Sequence, residues 1–325
     1  MNHRRLGRTG LEVSEIGYGA WGIGGSQWLG AEDRESLEAL HKAVDLGVNF
    51  FDTALAYGKG HSEQLVGKLV SERGERIVVA TKVPPKNQAW PAPAGIDPDD
   101  AFPAEWIRRC TERSLSNLGL DSVDVLQFHV WHDEWVGRGS WLEAVGQLKD
   151  EGMIRAFGVS INDHQPANAI KLIETGVVDT VQVIYNVFDQ SPEDELLAVC
   201  EREDIGVIAR VPFDEGSLTG TVTPDTEFPD GDFRNEYFGE PDSDRRRQVD
   251  ERVRALLDDL GIERAELAEV ALRYILSHPA VSSAIPGMRT PRNVERNTAV
   301  GDGEGLPEER VRALKAHRWD RNLYV

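Results

Sequence analysis

The feature that most constrains the fold is an alternation of short, β-branched segments with longer helical patterns. Segments of this kind recur at intervals of roughly 25 to 45 residues until the last gap, as expected for repeated βα units and a parallel sheet. The eight predicted strands are Glu15–Gly19, Val48–Asp52, Ile77–Thr81, Val123–Phe128, Ile154–Ser160, Thr180–Tyr185, Gly206–Arg210 and Val281–Ile285. Eight strands with intervening helices favour a closed (β/α)8 barrel (TIM barrel), an α/β fold, over an open sheet.

The helical patterns carry apolar residues at spacings of three and four, and they predict helices over Arg34–Leu46, Glu63–Val70, Glu105–Leu118, Trp141–Glu151, Ala167–Glu174, Glu193–Glu203 and Leu267–Ser277. Before the first strand, the segment Leu6–Val13 has glycines at its corners and predicts a β-hairpin that caps the barrel bottom. One long irregular stretch runs from Pro212 to about Asp244, after strand 7, and is typical of a ligand flap. Because the βα rhythm resumes after it, residues 1–325 are expected to form one barrel domain.

Charge excludes several kinds of partner. The chain has 56 acidic and 36 basic residues and a formal net charge of −20, so it repels nucleic acid and anionic membrane surfaces. Only 8 of the basic residues are lysines, a pattern typical of proteins from high-salt cytoplasms, and we therefore expect a halophilic protein.

The cellular compartment is read from cysteines and apolar runs. Cys110 and Cys200 lie in separate helical patterns without metal-ligand spacing, which predicts reduced thiols and no disulfide. No apolar run follows the basic residues near Met1, and none elsewhere reaches membrane-spanning length, so a cytoplasmic protein is expected.

Four ionisable residues follow the predicted strand ends. Asp52 ends one strand, Tyr57 lies in the loop after it, and Lys82 and His129 end the next two strands. The carboxyl ends of barrel strands point into the active-site mouth, so these four side chains are expected to converge on one cavity. Each alone has a structural explanation, as a cap, a half-buried aromatic, an exposed strand end or a loop histidine.

Together, the motifs Asn49-Phe50-Phe51-Asp52-Thr53-Ala54, Tyr57-Gly58, Thr81-Lys82 and the strand-end His129 resemble those of the aldo-keto reductase family, on the bacterial and archaeal side related to potassium-channel β subunits. The resemblance covers nearly the whole chain. It implies reduction of an aldehyde or ketone with NADPH, with Asp52, Tyr57, Lys82 and His129 as the catalytic set.

The chemistry of carbonyl reduction explains these residue types. Hydride goes to carbon, and a proton must reach the developing alkoxide. Tyr57 is the expected acid, Lys82 is expected to lower the tyrosine pKa, and Asp52 is expected to keep the lysine charged. The resemblance implies that His129 orients the carbonyl oxygen and helps the proton transfer.

The resemblance also implies a cofactor site on the later strands. It places the nicotinamide near Ser160, Asn162 and Gln182, whose hydroxyl and amide groups suit a carboxamide. The cofactor is further expected to contact the remaining candidates: Pro212, Gly216, Ser217 and Leu218 after strand 7, and Gly287, Arg289, Asn293 and Asn297 after strand 8, with Arg292 and Arg296 nearby. NADPH is expected because Arg289 can pair with a 2′-phosphate, and use of NADH stays open.

One residue departs from the family pattern. Arg210 stands where many relatives carry an aromatic residue that stacks on the nicotinamide. A planar guanidinium can stack instead, or it can bind a carboxylate or the pyrophosphate.

Gly17-Tyr18-Gly19-Ala20-Trp21-Gly22 matches the pattern GxGxxG, but the residues after it are poor helix formers, so a flexible barrel loop is expected rather than a dinucleotide-binding turn.

Tryptophans are expected to line the substrate pocket. Trp21, Trp90, Trp131 and also Trp135 fall in loops above the barrel and can surround a small carbonyl compound.

Two other functions stay open. One is a nucleotide-binding regulatory subunit. The other is a metal-dependent hydrolase built on His129 and His132, although no second histidine cluster supports a metal site. A monomer or small homo-oligomer fits the family.

Overall fold

A computed structural model describes residues 1–324. It has ten strands: β1 (His3–Arg5), β2 (Glu12–Ser14), β3 (Tyr18–Gly19), β4 (Phe50–Asp52), β5 (Val78–Val83), β6 (Val123–Phe128), β7 (Ile154–Ser160), β8 (Thr180–Ile184), β9 (Gly206–Arg210) and β10 (Val281–Ala284). Strands β3 to β10 pair in sequence order and are all parallel. Parallel bridges from Ile16 to Ala284 and from Gly19 to Gly287 join the first strand region to the last. The predicted (β/α)8 barrel is confirmed.

The α-helices are α1 (Asp33–Asp45), α2 (His61–Glu72), α3 (Pro98–Ala101), α4 (Ala104–Leu118), α5 (Trp141–Asp150), α6 (Ile170–Glu174), α7 (Leu196–Arg202), α8 (Phe233–Phe238), α9 (Asp244–Leu260), α10 (Leu267–Leu276), α11 (Pro291–Thr298) and α12 (Glu308–Lys315). All seven predicted helices are present, with ends that differ by up to three residues. The other five helices, α3, α8, α9, α11 and α12, are not among the predicted ones. Helix α9 is dominated by charged residues, yet it buries Val249, Val253 and Leu256 at the spacing of one helix face.

The predicted N-terminal hairpin closes the barrel bottom. Strands β1 and β2 pair antiparallel. The apolar side chains of the hairpin, including Leu6 and Leu11 in the connection between its strands, pack in one buried cluster with Phe50 and Val125 of the barrel. Gly7 has a φ of +51°, and a Cβ there would lie 2.2 Å from the Gly206 backbone nitrogen. Only glycine permits this contact between hairpin and barrel.

The segment that matches GxGxxG is a barrel loop, as expected. After β3 it makes a 3₁₀ turn at Trp21–Ile23, and the next α-helix begins only at Asp33. No helix in residues 1–324 combines the length and the apolar composition needed to cross a bilayer.

Candidate active site

A deep cleft opens at the rim where the barrel strands end. Its volume is about 1550 Å³. Because all eight strands are parallel, the side chains that follow their carboxyl ends share this rim. Asp52, Tyr57 and His129 line the cleft, and Lys82 lies fully buried directly behind them. The structure therefore brings the four predicted catalytic residues together.

A buried ion pair forms the base of this group. The Lys82 ammonium lies 2.6 Å from Asp52 Oδ2 and donates to the Thr53 carbonyl oxygen at 2.8 Å. Its third contact is a long one, 3.4 Å to the Tyr57 hydroxyl oxygen. Each of the three N–H donors of the ammonium therefore has an oxygen acceptor, and one of these acceptors is the tyrosine hydroxyl.

The Asp52 carboxylate is held by amides as well as by lysine. Its Oδ1 accepts hydrogen bonds from Gln182 Nε2 at 2.8 Å and from Gln127 Nε2 at 3.2 Å. These hydrogen bonds replace the water that the carboxylate loses on burial.

Burial and charge set the protonation states. Burial opposes the Lys82 charge, but the Asp52 carboxylate and the Tyr57 hydroxyl outweigh it, and the lysine pKa is raised. Burial, with the nearby Lys82 and Arg210 charges, lowers the pKa of His129 well below its usual 6.5. His129 is therefore a neutral imidazole at physiological pH, with one N–H donor.

The Lys82 charge lowers the pKa of Tyr57, as expected, but it does not set the net direction of the shift. Burial raises the pKa of Tyr57, and the Lys82 charge offsets only part of that increase. Tyr57 is therefore a protonated phenol at neutral pH. Its ring meets the His129 ring edge-on, with centroids 5.5 Å apart.

The predicted nicotinamide residues lie side by side at the rim. Ser160 and Gln182 occupy paired positions on β7 and β8, and both line the cleft with Asn162. The Asn162 amide, however, is engaged by the loop that carries Trp90. It accepts from the Ala92 nitrogen at 3.1 Å and donates to the Ala92 oxygen at 3.0 Å.

Arg210 has an internal partner. Its guanidinium donates to Asp163 Oδ1 at 2.6 Å and to the Ile161 oxygen at 3.0 Å. Burial opposes the charge, but the Asp163 carboxylate raises the arginine pKa. Arg210 lines the cleft with a charge that Asp163 already balances, and its buried Nε has no hydrogen-bond partner within residues 1–324.

Two predicted cofactor contacts on the segment after β9 are not at the cleft surface. Pro212 and Gly216 line the cleft, but Ser217 donates its hydroxyl to Asp214 at 2.7 Å and is fully buried. Leu218 is also fully buried, in the main hydrophobic core. Both side chains are used in packing, so a contact of this loop with the pyrophosphate through its backbone N–H groups stays a prediction.

The candidates after β10 lie together at one end of the cleft. Gly287, Arg289, Asn293 and Asn297 all line it, and so does Arg296. The Arg289 guanidinium donates to the Leu29 oxygen at 2.8 Å and lies 5.6 Å from the Trp28 ring centroid. Burial lowers the pKa of Arg289 from its usual value, with a smaller contribution from the Arg234 charge.

Of the predicted pocket tryptophans, Trp21 and Trp90 line the cleft, and Trp90 contacts the His129 ring edge-on at 4.6 Å. Trp131 does not. Its side chain is fully buried against Trp135 and Trp141, and its indole nitrogen donates to Asp133 at 3.0 Å. The pocket prediction is wrong for Trp131, because its loop turns inward and places the ring in the core; Trp135 is buried with it.

Sequence reasoning missed three residues in or directly behind the cleft. Gln127 lies two residues before His129, and the two-residue period of β6 was a signal for its inward direction. Trp28 and Tyr324 gave no local signal. The Tyr324 hydroxyl donates to Glu215 at 2.6 Å, and burial raises the pKa of Glu215 to about 7.

Solved structures share this architecture. The chain superposes on the holo form of an aldo-keto reductase from Bacillus halodurans with a TM-score of 0.76 and 24% sequence identity, over 100% of both chains. This similarity bears on the fold alone.

Sequence relatives cover almost the whole chain. The aldo-keto reductase YhdN of Bacillus subtilis is 32% identical over 91% of this chain and 87% of its own. The NADH-specific methylglyoxal reductase of Escherichia coli is 29% identical over 90% and 91%. An Arabidopsis thaliana protein named "Probable voltage-gated potassium channel subunit beta" is 28% identical over 93% and 92%. The profile of the Aldo/keto reductase family matches residues 15–318. The chain therefore belongs to the aldo/keto reductase family.

Proposed function

We propose that this protein reduces an aldehyde or ketone to an alcohol with NADPH. The observation that carries the proposal is the buried Lys82–Asp52 pair in contact with the Tyr57 hydroxyl, beside a neutral His129, at the base of a cleft large enough for a nucleotide and a small substrate. Paired charges and a protonated phenol are what proton donation to an alkoxide requires.

The chain's own residues perform the proton transfer. The His129 N–H holds the carbonyl oxygen next to the Tyr57 hydroxyl, and Tyr57 donates its proton to that oxygen as charge develops on it. Lys82 stabilises the tyrosinate that remains until solvent returns the proton, and Asp52 keeps Lys82 charged. Trp21 and Trp90 exclude water from the reacting carbonyl.

The cleft fits a nicotinamide cofactor. Gln182 uses its amide nitrogen on Asp52, so its oxygen stays available at the rim beside the Ser160 hydroxyl. Gly287 and Gly216 line the cleft without side chains, which permits close approach of a phosphate to backbone. When bound, NADPH supplies the hydride.

The Tyr57→Phe variant tests the mechanism. It should lose turnover by a factor on the order of 10²–10⁴, because a general acid is removed. Nucleotide binding, followed by quenching of tryptophan fluorescence, should persist. Unchanged turnover would remove Tyr57 from its proposed role.

Preference for NADPH over NADH rests on Arg289, with Asn293 and Asn297 beside it in the cleft. Arg289→Ala should weaken NADPH binding by about tenfold or more, the usual cost of a lost hydrogen bond to a charged group, with little change for NADH. The matched control is Arg292→Ala, an exposed arginine at the start of α11 that does not line the cleft. Equal loss of both nucleotides would contradict the assignment.

A nucleotide-binding regulatory subunit is the second candidate, supported by the similarity to the Arabidopsis protein. Absence of turnover with a broad aldehyde panel, together with tight nucleotide binding, would favour it. The hydrolase alternative has no support in the geometry, because residues 1–324 contain no group of three or more His, Cys, Asp or Glu side chains that could hold a metal ion.

We further infer one barrel domain over residues 1–325, of which Val325 lies outside the described residues, acting in a high-salt cytoplasm as a monomer or small homo-oligomer. Cys110 and Cys200 are buried free thiols, as expected in a reducing compartment. The melting temperature should rise between low and molar salt, because salt screens repulsion among the excess carboxylates. A melting temperature that did not rise would contradict the halophilic assignment.

A further inference from the structure

Three cations line the end of the cleft that faces α4. Arg109 and Arg113 are four residues apart on α4, and Lys59 lies in the turn two residues after Tyr57. We call these three residues the basic end. The rest of the cleft wall there is largely apolar and aromatic, with Trp90 and Trp106.

The basic end is tied to the loops that carry the proposed catalytic residues. Arg113 donates to the Lys59 carbonyl oxygen at 3.4 Å. Trp106 donates its indole N–H to the Pro84 oxygen at 2.8 Å, two residues after Lys82. The Arg109 guanidinium lies over the Trp106 ring, 4.7 Å from its centroid. The Arg109 and Arg113 guanidinium groups are therefore connected through these contacts to the loops that carry Tyr57 and Lys82.

These cations have no carboxylate partner. Within residues 1–324, none of the three lies within 4.0 Å of a carboxylate oxygen, although the chain has 56 acidic residues against 36 basic ones. The neighbouring Arg108, on the same helix but outside the cleft, pairs with Glu151 at 2.6 Å. Like charges four residues apart on a helix repel each other, so a bound anion relieves a cost that the free protein carries.

The place of the basic end on the barrel rim indicates that it binds an anionic group of the substrate rather than of the nucleotide. Helix α4 follows β5, the third barrel strand, whereas the proposed cofactor residues follow the fifth to eighth strands. The basic end and the proposed cofactor end therefore lie on opposite sides of the Tyr57–His129 pair.

We propose that the natural substrate is a carbonyl compound with an anionic group, a carboxylate or a phosphate, at the end remote from the carbonyl, bound by Arg109, Arg113 and Lys59. Guanidinium groups fork to either anion, and Trp90 and Trp106 cover the apolar part of the molecule between the two ends. This inference rests on the proposed function and adds the substrate class to it.

The test compares kcat/KM for 4-carboxybenzaldehyde and for methyl 4-formylbenzoate, its neutral ester, at the lowest salt in which the protein is folded. The ester group withdraws electrons more strongly, so intrinsic reactivity works against the expected preference for the carboxylate. The ratio of kcat/KM for the carboxylate to kcat/KM for the ester should fall by about tenfold or more in the double variant Arg109→Gln/Arg113→Gln, because charge-assisted hydrogen bonds to the carboxylate are lost.

A charge-matched control is the double variant Arg108→Gln/Arg138→Gln, which removes one half-buried and one exposed arginine, neither of which lines the cleft. Its ratio should equal that of the wild type. Unchanged nucleotide affinity in the Arg109/Arg113 variant shows that it is folded and that the lost anion site is not the nucleotide's. In the wild type, added KCl should raise KM for the carboxylate and leave KM for the ester unchanged, which tests the proposal without any variant.

A second pair, D-glyceraldehyde 3-phosphate and D-glyceraldehyde, distinguishes phosphate from carboxylate: preference in this pair alone supports the site with phosphate as its ligand. Lack of preference for the anion in both pairs overturns the proposal, and so does an equal change of ratio in the control variant. Those results leave the proposed reduction standing. Failure of the wild type to reduce any of the four compounds with either nucleotide overturns the proposed function itself.

Discussion

Removing one partner of the Lys82–Asp52 pair should destabilise the fold far more than removing both. Lys82→Met keeps a long apolar stem in the same space but leaves the Asp52 carboxylate buried, with a side-chain exposure of 3%, and without its cation. Only the amides of Gln127 and Gln182 remain as donors to it. Asp52→Asn/Lys82→Met removes both charges and keeps the shapes.

The magnitude follows from the geometry. At 2.6 Å and an effective dielectric constant of about 20, the attraction between two unit charges is about 6 kcal/mol. Most of this offsets the cost of taking both ions out of water, so the pair contributes little net stability, whereas breaking it costs about 3–5 kcal/mol. We expect that loss for Lys82→Met and a coupling of about 2–3 kcal/mol in the double-mutant cycle.

The assay is urea unfolding followed by far-UV circular dichroism at one fixed salt concentration. Lys86→Met is the matched control, since Lys86 is an exposed lysine four residues along the same chain segment, and it should change the unfolding free energy by no more than about 0.5 kcal/mol. A cost below about 1 kcal/mol for Lys82→Met, or single-variant effects that simply add, would refute the argument.

Three further outcomes follow from the structure. Burial raises the pKa of Glu215 from an ordinary 4.5 to about 7, so the folded state binds more protons than the unfolded state between these values, and stability falls as pH rises through that window. The test is urea unfolding of the wild type and of Glu215→Gln from pH 4.5 to 8. Over this range the unfolding free energy of the wild type should fall by on the order of 3 kcal/mol relative to that of the variant; parallel plots of unfolding free energy against pH would contradict this. Trp131→Ala should cost about 3–5 kcal/mol in the same assay because Trp131 is fully buried, whereas Trp90→Ala, at 46% exposure, should cost less than about 1 kcal/mol and instead change KM for aldehydes; equal costs would show that the two environments are misassigned. Because the pKa of Tyr57 is raised, carbonyl reduction should keep its rate across neutral pH while alcohol oxidation, which needs tyrosinate, should increase toward alkaline pH; oxidation that is fastest at neutral pH would rule out this proton path.

The sequence was most informative where an element is buried on both sides. Strands β6, β7 and β9 were predicted with their observed ends, because parallel barrel strands are continuous apolar runs. Helix α9 was missed because Arg and Asp dominate its sequence and obscure the apolar residues of its buried face. Trp131 was misplaced because nothing local indicates whether a loop tryptophan turns inward. Contacts such as Asn162 with Ala92 join residues 70 positions apart, and no local pattern encodes that pairing.

The long-range contacts also change how the site is understood. In the sequence, Asp52 belongs to the proposed proton-transfer group and Gln182 to the proposed cofactor segment, 130 residues away. In the structure one carboxylate oxygen accepts from Gln182 while the other accepts from Lys82. The orientation of the glutamine amide and the charge on the lysine therefore depend on the same group. A change at Asp52 is expected to alter both the hold on the nucleotide and the acidity of Tyr57, because one buried anion orders both.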